Sequence, residues 1–491
     1  MNSLKEISLR AMSWSIFDRF SVQFVNLFSS IILARLLSPT EYGYIAIVTI
    51  FITISQVVVD NGLSQSIIAS NSKGNDVLSS VFTFNFIVSI LIYLLLLVSA
   101  SSISLFFKAP VLQYLIPVLA INLILHAVSN VHRIRLQMDL NFKRTALIQL
   151  PGLFISSCTA IVLALWGFGV WSLVAQQIIL QLYITLTLWI NSSWKPQLIL
   201  NKNALKPHLK YGYFVSLNAF LSSVFHYVYD LLIGKYFSKE LLGQYGKAFS
   251  LKQLPHENLT IPIINVSFPL FSLLKNDENN LNLKYKRLLS QLCYIITPIY
   301  VLIAIFSKEI VLLLFGAQWK VAGTCLFWLS ISGIFQHVVS LNVSLFKLHF
   351  RNIKISFLLE FISKIIFFSG AFLLIPYGII SMLIFHVCFS FMFMIFWMLN
   401  LQWFSAVSFF DQFYIFFKPL LLSLLSAFSV YAFSKFDFLN YNIMFNIIKI
   451  IIFLLLYTFL SFTFMRKTFY ETIDVISLRL SPLFSGFRKL F

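Results

Sequence analysis

Long apolar stretches recur along this chain, each closed by a few polar or helix-breaking residues before the next begins. A helix crossing a hydrocarbon core needs about 20 predominantly apolar residues. Stretches such as 81–97, 367–397 and 443–464 supply them, and the same pattern repeats with shorter interruptions elsewhere. It predicts fourteen membrane spans, at roughly 11–34, 42–63, 78–106, 113–131, 145–166, 168–190, 211–234, 241–272, 288–306, 321–346, 353–375, 377–400, 413–433 and 443–465. The connections are short, and the longest, about 191–210, cannot hold a soluble domain. The expected fold is all-α and polytopic.

One interruption is used twice. "ARLLSPTEYGYIAI" (34–47) and "GKYFSKELLGQYGKAF" (234–249) overlay without a gap, so that Arg35 meets Lys235, Ser38 meets Ser238 and Gly43 meets Gly243. Locally the first copy reads as a helix start. Ser38 or Thr40 can cap it, Pro39 suits the first turn, and Glu41 favours the positive end of the helix dipole. Six predicted spans separate the copies, an even number, so both halves would cross the membrane in the same sense. The expectation is two parallel-repeat lobes of six helices, 1–200 and 201–402. Two extra helices and a basic amphipathic tail, "ISLRLSPLFSGFRKLF", would follow within 403–491. Parallel repeats about an axis along the membrane normal are a transporter design, with substrate held between the halves.

Composition agrees. Hydrophobic residues make up 59% of the 491 residues and charged residues 11%, against about a quarter charged in soluble domains. The mean hydropathy is +0.87. The 55 phenylalanines are read as lipid-facing. A net charge of +19 raises nucleic acid as a partner, but its placement argues against one. Most Lys and Arg outside the spans fall in alternate connections, including "HRIRLQMDLNFKR" and "KPQLILNKNALKPHLK". The positive-inside bias then puts both termini in the cytoplasm and assigns the basicity to topology and membrane lipids. The first twenty residues read as an amphipathic lead into the first span rather than a cleaved signal. Cys158, Cys293, Cys325 and Cys388 have no metal or redox spacing and read as packing residues. With no nucleotide loop, paired-aspartate sugar-nucleotide site or metal cluster in the sequence, the chain is expected to move something, not to catalyse a reaction, and to carry no cofactor.

Polar stripes inside the spans mark where. Ser15, Arg19, Gln23, Asn26 and Ser30 share one face of the first span, either a cavity wall or a polar seam that Asp18 helps neutralise. Two hundred residues on, the stripe continues as Ser223, His226 and Asp230, with Ala219 in place of the arginine. Asn122, His126, Ser129 and Arg133 repeat the idea in the fourth span, where His126 reads as a structural histidine. The eighth span is the most polar. It holds Lys247, Lys252, His256 and Glu257 and is interrupted by Pro255, Pro262 and Pro269. Broken backbone at membrane depth needs protein or water around it, so this span is the best candidate wall of a translocation path. Glu360 and Lys364, four apart in "LEFISKII", are either an internal salt bridge or a gate.

Taken in order, "FDRF", "IILARLLSPTEYG", "DNGLSQSII", "HRIRLQMDLNFKR", "GFGVWSLVAQQ", "WKP", "YGKAFSLKQLPHEN", "LLFGAQWK" and "LEFISKII" resemble a known family over roughly residues 10–400. It is the oligosaccharide flippases of the multidrug/oligosaccharidyl-lipid/polysaccharide exporter superfamily, on the Wzx-type lipopolysaccharide, capsule and teichuronic-acid branch. The resemblance implies a two-lobed, MATE-like exporter with a central cavity. It also implies an undecaprenyl-diphosphate-linked oligosaccharide as substrate, flipped from the inner to the outer leaflet of the cytoplasmic membrane by alternating access. Other polysaccharide-assembly membrane proteins would be partners. Where the family tends to carry arginine after Tyr-Asn, this chain has Gly246 and Lys247, which keeps the charge and loses the fork.

The chemistry fits that substrate. A diphosphate needs cations in a cavity, and Arg19, Lys247 and Lys252, with Gln23 and Asn26, are the expected receivers. Asp18, Asp60 and Asp230 are the candidate proton or sodium coupling sites. A peptidoglycan-precursor flippase and a cation-coupled drug exporter of the same fold are the alternatives; the basic stripes disfavour the second.

Overall fold

The structure is a computed structural model that describes residues 2–60, 62–70, 74–274, 277–349, 353–403, 407–434, 443–472 and 474. The predicted amphipathic tail, and the side chain of Asp18, lie outside the described residues. Those residues form eighteen α-helices and no strand. In chain order they are α1 (Asn2–Leu36), α2 (Pro39–Asp60), α3 (Leu63–Ser70), α4 (Asn75–Phe106), α5 (Leu112–Met138), α6 (Phe142–Leu165), α7 (Val170–Asn191), α8 (Lys202–His226) and α9 (Val228–Tyr236). They continue as α10 (Lys239–Pro255), α11 (Ile261–Leu273), α12 (Glu278–Ile305), α13 (Ser307–Phe315), α14 (Lys320–His349), α15 (Ile353–Leu373), α16 (Gly378–Gln402), α17 (Phe409–Ser434) and α18 (Ile443–Phe464).

Each of the fourteen predicted spans falls on one of these helices or on a broken pair. Among the described residues, ten helices are long and apolar enough to cross a membrane by length and composition. The four other predicted spans fall on α1, α8–α9, α10–α11 and α15. These carry Arg19, Asp230, Lys247 with Lys252, and Glu360 with Lys364. Apolar side chains such as Val98, Leu105, Leu273 and Phe428 are largely exposed, as expected of a chain solvated by lipid.

The chain divides into two compact units, 1–246 and 247–491. The division lies within α10, well beyond the end of the first expected repeat at residue 200, because α8 and α9 pack on α2, α3 and α4. In the first unit α1 lies on α6, α4 on α5, and α7 against α5 and α6. Leu63, Ile67, Val81, Val131, Ile134 and Trp194 form a buried cluster at the end where α3, α4, α5 and the α7–α8 connection meet.

The duplicated turn has a structural consequence in this unit. Ser38 and Glu41 form a reciprocal capping box at the start of α2: the Ser38 amide and hydroxyl donate to Glu41 Oε2 at 2.6 and 2.9 Å, and the Glu41 amide donates to Ser38 Oγ at 3.4 Å. Ser238 caps α10 in the same way, its Oγ accepting from the Leu241 amide at 3.0 Å. The two starts touch each other. A methyl group built on Gly43 would lie 1.9 Å from the Lys239 carbonyl oxygen, and one built on Gly243 would lie 1.8 Å from that of Pro39. The contact is reciprocal under the two-hundred-residue offset, and only glycine lets the backbones approach so closely. Partial burial, with Lys235 and Lys108 nearby, holds the Lys239 ammonium below its ordinary range.

In the second unit α12 and α14 form the centre, with α16 and α13 on α14 and α17 on α12. The two extra helices are part of this core. Phe416 of α17 and Phe453 of α18 are buried in it with Tyr285, Leu292, Ile296 and Leu341. The Tyr457 hydroxyl donates to the Tyr294 carbonyl at 2.8 Å, and Lys286 pairs with Asp411 at 2.7 Å.

Candidate functional site

Of the three prolines expected to interrupt the eighth span, Pro255 alone ends a helix; Pro262 and Pro269 lie within α11, which runs on through them. α10 ends at Pro255, a π-helical turn follows at His256–Thr260, and α11 begins at Ile261. Proline lacks the amide that would continue the ladder, and π turns inserted in helices favour functional positions. Local polar groups satisfy the altered backbone. The Tyr300 hydroxyl donates to the Lys252 carbonyl at 3.2 Å, and Asn258 Nδ2 donates to that of Leu254 at 2.9 Å.

Just before the break, Lys247 and Lys252 are 8% and 4% exposed. Lys252 Nζ donates to Gln336 Oε1 of α14 and lies 5.7 Å from the centre of the Phe249 ring. Lys247 Nζ lies 5.3 Å from the Phe315 ring centre. An amide oxygen and aromatic faces solvate a cation without neutralising it. His256, beside Lys252, is buried with Nδ1 unsatisfied among the described residues, and so is the Thr260 hydroxyl. Buried ionisable groups within a membrane span are the natural candidates for a substrate path.

The first-span stripe belongs to the other unit. Arg19 and Asn26 are exposed and Gln23 is half-buried, while Ser29, beside the stripe, is buried and accepts from Gln176 Nε2 of α7 at 3.0 Å. Among the acids, Asp60 ends α2 and accepts from Ser64 Oγ and, at 2.8 Å, from Asn130 Nδ2. Asp230 lies in the first turn of α9, half-buried. In the fourth-span stripe, Ser129 accepts from Gln181 Nε2 at 3.1 Å, and His126 Nδ1 is buried and unsatisfied among the described residues.

Glu360 has a partner that sequence spacing does not suggest. Its carboxylate lies 2.8 Å from Lys347 Nζ, across from α15 to α14; Lys364 is one turn further along α15. A second unforeseen group is wholly buried. The Tyr285 hydroxyl donates to Asn342 Oδ1 at 2.5 Å and Gln412 Oε1 at 3.2 Å, and Asn342 Nδ2 donates to Gln412 Oε1 at 3.0 Å. It ties α12 and α14 to α17. Nothing in the periodicity of any one helix could have matched these three residues.

A multi-pass, all-helical chain with buried lysines beside a proline-broken span is the architecture of a membrane transporter. The solved structures it is similar to share that fold. "Lipid II flippase MurJ, inward closed conformation" superposes with a TM-score of 0.73 at 17% identity, covering 93% of this chain and 99% of that one. An inward-facing multidrug resistance MATE family transporter of the MOP superfamily superposes with a TM-score of 0.60 at 14% identity, covering 79% and 96%. Residues 32–324 match the family described as "Polysaccharide biosynthesis protein", and the chain belongs to that family. Among its relatives are the succinoglycan biosynthesis transport protein ExoT of Rhizobium meliloti, 23% identical over 66% of this chain, and the teichuronic acid biosynthesis protein TuaB of Bacillus subtilis, 20% identical over 70%. An uncharacterized membrane protein in the cps region of Klebsiella pneumoniae is 22% identical over 69%. The chain aligns with 70%, 65% and 72% of the lengths of the Klebsiella, ExoT and TuaB proteins.

Proposed function

We propose that this chain is a flippase that moves an undecaprenyl-diphosphate-linked oligosaccharide from the inner to the outer leaflet of the cytoplasmic membrane by alternating access. It would serve the synthesis of a surface polysaccharide such as O-antigen, capsule or exopolysaccharide. The observation that carries this reading is the pair of buried lysines, Lys247 and Lys252, beside the π turn in a member of a polysaccharide biosynthesis family. Arg19, with Gln23 and Asn26, supplies the polar face of the other unit. No chemical step is assigned to the chain, because moving the lipid needs none. The Lys/Arg distribution supports cytoplasmic termini.

Moving negative charge outward against an inside-negative potential releases about 2.3 kcal/mol per charge per 100 mV. A diphosphate with about two charges gains on the order of 4–5 kcal/mol at 100 mV. Asp60, Asp230 and Asp18 are the acids through which a proton or sodium ion could add to that drive.

The test is accumulation of lipid-linked repeat units on the inner leaflet in cells carrying variants at normal membrane levels. Losing a charge-assisted contact weakens binding by about 1.5–3 kcal/mol, or roughly ten- to a hundredfold. Arg19→Ala, Lys247→Ala and Lys252→Ala should each cause accumulation, and Arg19→Lys should be partly active because a point charge replaces a fork. Export at the parental rate by all three alanine variants overturns the site. A lipid-linked peptidoglycan-precursor flippase would need the same cations. Rescue of cells depleted of their own such flippase would favour that reading.

A further inference from the structure

A polar cavity lies in the first unit, at the basic end where α5 turns into α6 and α7 ends. It encloses about 120 Å³, and its polar lining includes His132, Arg135, Asp139, Arg144 and Ser192. Three features make it a built site. His132 is 3% exposed; its Nδ1 is 3.0 Å from Ser192 Oγ, and its Nε2 is buried with no hydrogen-bond partner among the described residues. The two guanidiniums are held in place: Arg135 stacks 5.5 Å from the centre of the Trp194 ring, and Arg144 Nη2 donates to the Asn191 carbonyl that ends α7. The cavity also sits by the start of α6, whose dipole favours negative charge, and by the ends of α5 and α7, whose dipoles oppose it. Arg144 meets the last carbonyl of α7, and the two arginine forks with the histidine outweigh the single carboxylate of Asp139.

The remaining wall is apolar. Ile148 and Leu188 line the cavity and belong to a buried cluster with Ile184, against which Leu136 packs. Trp189 and Trp194 flank His132 edge-on at 5.2 and 5.3 Å between ring centres, and Trp189 is partly exposed. Tryptophans beside such a cavity at the end of a membrane helix mark the headgroup level. An anion that brings an apolar body with it fits both walls; a free ion uses only one.

We propose that this cavity binds the phosphate of an anionic phospholipid headgroup, with Arg135 and Arg144 as its clamp and His132 at its base. Basic pockets between membrane helices suit such headgroups, and arginine presents the bidentate geometry that phosphate oxygens accept. None of the proposed transport residues lines the cavity, so it acts as a lipid-anchoring site of the first unit, whatever the substrate.

The full chain, purified in phosphatidylcholine nanodiscs, would be titrated with phosphatidylglycerol, and lipid retention would be read by native mass spectrometry alongside melting temperature. The parent should retain the anionic lipid and melt higher with it. Arg135→Gln with Arg144→Gln should retain it ten- to a hundredfold less tightly, the loss expected for a charge-assisted contact, and gain no melting temperature. Arg144→Lys should fall between, and Lys143→Gln, a neighbouring cation that does not line the cavity, should behave as the parent. If the double variant melts lower without lipid, the shift on adding lipid within each variant is compared instead. Equal retention by parent and double variant would overturn the proposal. Protection of the parent by inorganic phosphate or pyrophosphate as strong as that by the lipid would also overturn it, by assigning the cavity to a free anion.

Discussion

The contact between the two helix starts makes a prediction that depends on its reciprocity. Gly43→Ala places a methyl carbon 1.9 Å from the Lys239 carbonyl oxygen, and Gly243→Ala places one 1.8 Å from that of Pro39. Carbon and carbonyl oxygen sit comfortably at about 3.3–3.6 Å, so either alanine must push the starts of α2 and α10 apart by roughly 1.5 Å at that point. Backbone on both sides leaves no side chain to swing away. Overpacking of this kind costs about 1–3 kcal/mol and occasionally more, and these sites belong at the upper end. The two glycines face each other across one crossing, so the separation forced by the first alanine makes room for the second. The double variant should therefore cost little more than either single, with a favourable coupling of about 1–3 kcal/mol. Melting temperatures of the three variants in one detergent, with membrane levels as a check, measure this. Additive losses would refute the shared crossing, and singles that melt with the parent would refute the close approach itself.

The remaining expectations are simpler. Because Glu360 pairs with Lys347, exchanging their charges (Glu360→Lys with Lys347→Glu) should restore the protein level lost in either single variant better than the exchange with Lys364. The effect should be modest, about 1 kcal/mol or less, since both side chains are partly solvent-accessible; equal rescue by Lys364→Glu would restore the one-helix pairing. In a background without the four cysteines, a cysteine at Ser238 should react with an impermeant reagent in intact cells and one at Asn201 should not; labelling at Asn201 would reverse the orientation. Tyr285→Phe leaves Asn342 and Gln412 without their shared donor and should lower the melting temperature by the cost of a buried unsatisfied group, about 1–3 kcal/mol. An unchanged melting temperature would mean the network is dispensable.

Much of the architecture was legible in the chain because lipid imposes simple rules on sequence. Apolar length alone locates the spans, since an unsatisfied backbone in hydrocarbon is too costly for any conformation but a helix. The helix start at Ser38–Glu41 and the proline break at Pro255 were legible for the same reason: each follows from residues within one turn of each other, although the choice of Ser38 over Thr40 as cap was not. The two-hundred-residue repeat was visible as spacing, but spacing could not show that its two copies would pack on each other through Gly43 and Gly243. That is decided by how close two backbones come, and only the tertiary structure sets it. Glu360 illustrates the limit. Lys364, one turn away, was legible from helical geometry, but no spacing showed that the fold also brings Lys347 from another helix to 2.8 Å of the same carboxylate. The same holds for His132, Arg135 and Arg144, which read in sequence as a basic connection. Their gathering around one cavity depends on the end of α7 closing over them, a contact between segments some fifty residues apart. Sequence by itself thus determined which segments form the long apolar helices, the break at Pro255 and which polar groups lie within them. The tertiary structure decided which of those groups face each other, because pairing between helices depends on packing angle and depth, and neither is written in the period of any single helix.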